Sequence, residues 1–203
     1  MVALKLYVEG GGDQRQLKNR CREGFAKFLE KAGLQGHLPR IIASGSRKNA
    51  FDDFCIALKA GESALLLVDS EDLVSETSPW EHLLNRPGDK WTMPQGATDD
   101  LCHLMIVCME SWLLADRQTL KKYFGSDFKE SALPATSRPI ESLDKDTVMS
   151  ALKKATRDCQ SKGGYNKGSH SFDLLALLDP NTVAENVPSA KRFIDALKHY
   201  PKR

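Results

Sequence analysis

The sequence predicts an α/β fold: a mainly parallel central sheet flanked by helices, followed by a C-terminal helical extension. Three observations lead there. Apolar runs of strand length alternate with helix-period segments as β-α-β-α-β within the first 70 residues, an order that implies parallel strands joined by right-handed crossovers. The third run, 64–68, is apolar throughout, as a strand covered on both faces should be. Beyond a fourth run, 103–109, the remaining pattern is helical.

Residues 3–8 form the first strand, which ends in Glu9-Gly10-Gly11-Gly12-Asp13. From Gln14 to Ala32, the positions Leu17, Cys21, Phe25, Phe28, Leu29 and Ala32 fall mostly three or four apart. That spacing makes one face of a helix, and Gly33 suits its end. Residues 37–43 form a second strand, which Pro39 shortens or places at an edge. Asn49 to Ala60 is a second helix, with Phe51, Phe54, Cys55 and Leu58 as its buried stripe. Residues 73–100 are polar and irregular, but Ser78-Pro79-Trp80-Glu81 is laid out as a helix start, with serine as cap and proline first. Glu110 opens one helical stretch to about Phe124. A Pro/Ser-rich connection (131–139), a helix at 146–158 and a glycine- and lysine-rich loop (162–169) follow. A short helix at 172–178 and a last amphipathic helix, with Ala190, Phe193, Ile194 and Leu197 on one face, complete the chain. The expected division is a core at 1–115 and a helical extension at 116–203.

A chain of 203 residues can bury a real core without staples. No apolar run approaches the ~20 residues of a membrane span, and the N-terminus lacks a signal-peptide layout. The five cysteines are scattered without a CxxC pair, which points to free thiols in a reducing, cytoplasmic setting rather than to zinc or disulfides. A net charge of +2 neither requires nor excludes nucleic acid, because a binding groove depends on local charge.

In parallel sheets, ligands bind beyond the carboxyl ends of the strands, where Glu9 and Asp69 both stand. One such acid is readily a helix cap or a solvated turn; two clusters at two strand ends are harder to dismiss. Asp69, Glu71 and Asp72 crowd three carboxylates into four residues, and like charges that close repel unless something positive lies among them. A hard cation such as Mg²⁺ takes oxygen ligands. Asp69 and Glu71, two apart in an extended chain, can point to one side. Gly10-Gly11-Gly12 lets the backbone turn sharply or approach a phosphate, but neither a P-loop nor a GxGxxG fingerprint is present.

Val8-Glu9-Gly10 after the first strand and Asp69-x-Glu71 after the third resemble the two signatures of Toprim domains, found in topoisomerases, primases and OLD-type nucleases. The resemblance implies a Toprim-like core in which Glu9, Asp69 and Glu71 organise Mg²⁺ or Mn²⁺ for phosphodiester chemistry. Asp13 resembles the extra acid that nuclease-type members carry four residues after the first glutamate. Glu71 and Asp13 depart from the usual pattern, which more often has Asp and Glu respectively. Over nearly the whole chain, Met109-Glu110-Ser111-Trp112-Leu113-Leu114-Ala115-Asp116 and Gly164-Tyr165-x-Lys167-Gly168-x-His170 are similar to a Toprim-like family encoded beside ABC-type ATPases in bacterial defence cassettes. That likeness implies an ABC-type ATPase partner.

The function expected is a Mg²⁺-dependent (or Mn²⁺-dependent) nuclease acting on DNA or RNA. Glu9, Asp69 and Glu71 would hold the metal, with Asp13, Asp72 and Glu110 as secondary ligands. Lys167 and His170 would assist catalysis, and Arg47, Lys48 and Lys167 would contact nucleic acid. Each has an alternative: Glu110 as an acid favoured by the dipole of a first helical turn, Lys167 and His170 as parts of a surface loop, Arg47 and Lys48 as solvated charges. Trp112 belongs to the core. A non-catalytic regulatory or adaptor subunit of an ATPase complex is the alternative function, a small-molecule phosphohydrolase a weaker third. A homo-oligomer is left open.

Overall fold

The computed structural model describes residues 4–200; residue 3, expected in the first strand, lies outside them. The four strands are β1 (Lys5–Gly11), β2 (Arg40–Gly45), β3 (Ala64–Asp69) and β4 (Cys102–Met105). They form one sheet in the order β2-β1-β3-β4, every neighbouring pair parallel. Pro39 immediately precedes β2, an edge strand. The crossover helices are α1 (Arg15–Leu29), continued by a π-helical turn through Leu34, and α2 (Arg47–Lys59). Gly33, at φ 93°, ends the first of these where its left-handed backbone is needed.

Because side chains alternate along a strand, β1 and β3 feed two cores. Leu6, Val8, Leu65 and Leu67 face Cys21, Phe25 and Phe28 of α1. Tyr7, Leu66 and Val68 face Ala50, Phe54 and Ala57 of α2, together with Trp80 and Leu83 of α3 (Pro79–Asn85). All six residues of β3 are buried.

The first core runs on without a break into the C-terminal half. Trp112, from α4 (Glu110–Ala115), lies between Phe28 and Phe193, with ring centroids 5.5 and 6.0 Å away. The expected stretch from Glu110 to Phe124 is two helices, α4 and α5 (Arg117–Phe124). Asp116 breaks it: its carboxylate accepts the Thr119 N–H at 3.0 Å, capping α5, and the Asp179 N–H at 2.9 Å. Next come α6 (Lys145–Thr156), α7 (Lys167–Leu177), α8 (Pro180–Asn186) and α9 (Pro188–His199). The stripe Ala190, Phe193, Ile194, Leu197 of α9 is buried, as its spacing predicts.

Two expectations are corrected here. The fourth strand stops at Met105, because Ile106–Met109 form a turn in which Val107 adopts φ 56°. The expected loop 162–169 is helical from Lys167 onward: the Asn166 side chain accepts the Ser169 N–H and starts α7 five residues earlier than the apolar pattern suggests. The helix α8, not anticipated, has its signal in Asp179-Pro180, a cap followed by proline at the first helical position. All five cysteines are free; four are buried and Cys55 is half-buried. Among the described residues, no helix is long and apolar enough to cross a membrane.

Candidate metal centre

The strand order places the reversal of connection direction between β1 and β3, since the chain leaves β1 for β2 on one side and returns to β3 on the other. The crevice at the carboxyl ends of two such strands is the usual ligand site of an open α/β sheet. Glu9 and Asp69 lie at those two ends.

Local backbone features bring their carboxylates together. Glu9, Gly10 and Gly11 all sit opposite Gly45 of β2, a run of bulges at the end of β1. Bulges re-aim side chains, and Glu9 Oε2 here accepts the Asp69 N–H at 3.2 Å. Asp69 is 3 % exposed, and its Oδ1 accepts the Met109 N–H at 2.9 Å. The turns after β3 and β4 are stitched to each other. Ser70 N–H donates to Met105 O at 2.9 Å, Glu71 N–H to Val107 O at 3.1 Å, and Val107 N–H to Ser70 Oγ at 2.7 Å. These bonds hold Glu71 at φ 66°, a left-handed conformation uncommon outside glycine. Glu71 is therefore not part of an extended chain, as its spacing from Asp69 implied. Its carboxylate nevertheless reaches the cluster: among the described residues, ligand oxygens of Glu9, Asp69 and Glu71 all lie within 4.8 Å of one another.

Three cations surround these three acids, one for each. Arg47 Nη1 is 3.9 Å from Glu9, Lys167 Nζ is 3.7 Å from Asp69, and Lys145 Nζ pairs with Glu71. All three are the first residue of a helix, α2, α7 and α6, following the caps Ser46, Asn166 and Asp144. A basic residue at a helix N-terminus opposes the helix dipole; here the facing carboxylates offset that cost. Burial, followed by the negative charge of Glu9, pushes the Asp69 carboxyl up to about 8. Burial also raises Glu9, against the pull of Arg47. A group of hard oxygen donors whose ionised forms are disfavoured by burial and mutual repulsion fits a divalent cation.

Glu110 is fully buried beside the cluster. Its Oε1 accepts the Tyr165 hydroxyl at 2.9 Å and lies 3.4 Å from the Ser171 hydroxyl, while its Oε2 is 3.3 Å from Lys167 Nζ. Burial works against the Lys167 ammonium, but Glu110 and Asp69 outweigh it and hold its pKa above the usual lysine value. Glu110 thus fixes Lys167 against Asp69. A cavity of about 220 Å³ adjoins the acids, lined by Glu9, Asp69, Lys167, Leu17, Met109 and Phe172 among others.

The other expected residues stand apart. Asp13 is exposed and outside the cluster of three acids. Asp72 is exposed and pairs with Arg86 at 2.8 Å. Lys48 pairs along its own helix with Asp52. His170 is engaged elsewhere: its Nδ1 accepts the Asn166 N–H at 3.1 Å, its ring packs on Tyr123, Phe124 and Tyr165, and burial lowers its pKa. Arg47, by contrast, stays at the centre beside Glu9 while also tied to Asp89 and lying over Trp91, 5.1 Å from the ring centroid. Sequence reasoning missed Lys145. Its signal was Asp144, a capping residue placed just before a helix-period segment.

The family model described as Domain of unknown function (DUF4276) matches residues 8–198. Comparisons with curated proteins and with solved structures gave no match.

Proposed function

The chain belongs to the DUF4276 family, and we propose that it is a divalent-metal-dependent phosphodiester hydrolase, a nuclease acting on DNA or RNA. The observation that carries this reading is the convergence of Glu9, Asp69 and Glu71 within 4.8 Å at the crevice between β1 and β3. Mg²⁺ or Mn²⁺ would be held there, and such an ion supplies Lewis-acid polarisation of a phosphoryl oxygen and a more acidic water. The chain's own part is positional. Asp69 is locked by the Met109 N–H, Glu9 by the bulges of β1, and Lys167 by Glu110, so a positive charge stands fixed beside the acids where negative charge would develop on a phosphate. The likeness to defence-cassette proteins adds an ABC-type ATPase as the partner that would control the activity.

One observation favours a second reading. Each carboxylate already has a cation beside it, and a self-neutralised cluster can serve simply to join helices to a sheet. The chain would then be a non-catalytic regulatory subunit of the ATPase complex. Cleavage of single- and double-stranded DNA and RNA by the purified chain, with Mg²⁺ or Mn²⁺ and with or without the ATPase, separates the two. The nuclease reading expects cleavage that disappears in Asp69→Asn. Absence of cleavage in every arm, together with metal-independent complex formation, would replace it with the subunit reading.

A further inference from the structure

Of the three cations around the acids, two are held by partners outside the cluster. Arg47 is paired with Asp89, which also pairs with Arg86 at 3.3 Å, and lies over Trp91. Lys167 is held by the fully buried Glu110. Lys145 differs: among the described residues its ion-pair partner is Glu71. The neighbouring Asp144 is occupied with Thr147, accepting its N–H at 2.7 Å and its hydroxyl at 2.8 Å. Exposure does not separate the two lysines, 33 % for Lys145 and 51 % for Lys167, but Lys167 has two acids and Lys145 one, and a lysine is a compact charge on a flexible four-carbon stem, free to move when its partner is taken.

Resting on the metal reading above, we propose that Lys145 is the phosphate-binding residue of this centre, and that loading a divalent cation on Glu9, Asp69 and Glu71 releases it from Glu71 to take a phosphoryl oxygen of the substrate. The driving force is charge. A doubly charged ion competes directly with a single ammonium for Glu71. The displaced lysine is then an ammonium without its counter-charge, and since Asp144 already caps the start of α6, the lysine itself is the anion-binding group there. A phosphoryl oxygen supplies the charge that the ion has taken from it in Glu71. Binding of metal would thereby prepare binding of substrate through one side chain.

Lysine footprinting tests this on the intact chain. Acetylation by an activated ester is followed by mass spectrometry without metal, with saturating Mg²⁺, and with Mg²⁺ plus inorganic phosphate; calorimetry measures Mg²⁺ binding in parallel. Lys145 labelling is expected to rise several-fold with Mg²⁺, toward that of the exposed Lys48, and to fall again with phosphate. Lys167 labelling should change less. Glu71→Gln should give high Lys145 labelling without metal. Lys145→Gln should bind Mg²⁺ at least as tightly as the wild type, having lost a competitor, yet lose phosphate affinity that Lys145→Arg retains in part. Saturable Mg²⁺ binding with unchanged Lys145 labelling would overturn the exchange and leave the metal centre standing. A rise with Mg²⁺ that phosphate does not reverse would overturn the phosphate role. No saturable Mg²⁺ binding would overturn the metal reading and the exchange with it.

Discussion

The Tyr165 hydroxyl donates to Glu110 Oε1 at 2.9 Å across 55 residues of sequence. It joins the first residue of α4 to the segment that leads into α7. Because Glu110 holds Lys167, the bond also sets how that lysine faces Asp69. Tyr165 is buried, and its N–H is bound to Thr156 Oγ1 at 2.7 Å. Tyr165→Phe keeps the ring and removes the bond to the Glu110 carboxylate together with a 3.0 Å contact to the Ser171 hydroxyl. It should lower the unfolding free energy by about 1.5–3 kcal/mol, measured by urea denaturation with an unchanged m-value.

Asp69→Asn should remove Mg²⁺ binding while preserving the fold, because asparagine keeps an oxygen for the Met109 N–H. Its stability should also diverge from the wild type with pH. The folded Asp69 carboxyl lies near 8, well above its ordinary value of 3.8. Its contribution is therefore full below that ordinary value and is lost as pH rises through 8. Asparagine suffers no such loss. In the presence of a chelator, the Tm advantage of the variant should grow from pH 5 to pH 9; parallel curves would refute the protonation of Asp69.

His103 points the other way. It is 2 % exposed, donates from Nε2 to Asp100 O at 3.1 Å as the neutral tautomer, and among the described residues leaves Nδ1 without a hydrogen-bond partner. Burial, with Arg192 second, lowers its pKa to about 4. The unfolded chain binds a proton that the folded chain refuses, so stability present above the ordinary value of 6.5 is lost as pH falls toward 4. The loss is on the order of 3 kcal/mol. His103→Phe should flatten that slope in chemical denaturation between pH 7 and pH 4.

The glycines after Glu9 are not equivalent. A Cβ on Gly11, at φ 85°, would lie 2.6 Å from Lys18 Cα, whereas Gly12, at φ 49°, has open space around it. Gly12→Ala should cost only the left-handed conformation, about 1–2 kcal/mol. Gly11→Ala must also move α1, so it should cost more and weaken Mg²⁺ binding through Glu9. Thermal melts and calorimetry of the two variants check this; equal losses would mean that the backbone of α1 gives way easily.

Much of this architecture was legible in order. The apolar run 64–68 of β3, the helix period of α1, the stripe of α9 and the Ser78-Pro79 start of α3 follow from local rules, because burial on two faces, burial on one face and capping each leave a short-range pattern. So did the acids Glu9 and Asp69, whose place at strand ends follows once the strands are recognised. The start of α7 was hidden by a polar first turn, since an Asn cap followed by Lys-Gly-Ser-His looks like a loop until the helix is seen packing on α1.

The sequence by itself determined the fold class, the parallel order of strands and helices, and the identity of the acids at the strand ends, because each depends on neighbours within a dozen residues. Only the tertiary structure decided which residues share the centre. Glu71 enters through a left-handed turn held by β4's loop, Lys145 and Lys167 arrive from helices 74 and 98 residues beyond their partners, Asp72 and His170 are drawn to other partners, and Asp13 stays exposed outside the cluster. Those outcomes depend on where one core places helix N-termini against a sheet, and no short-range pattern carries that distance.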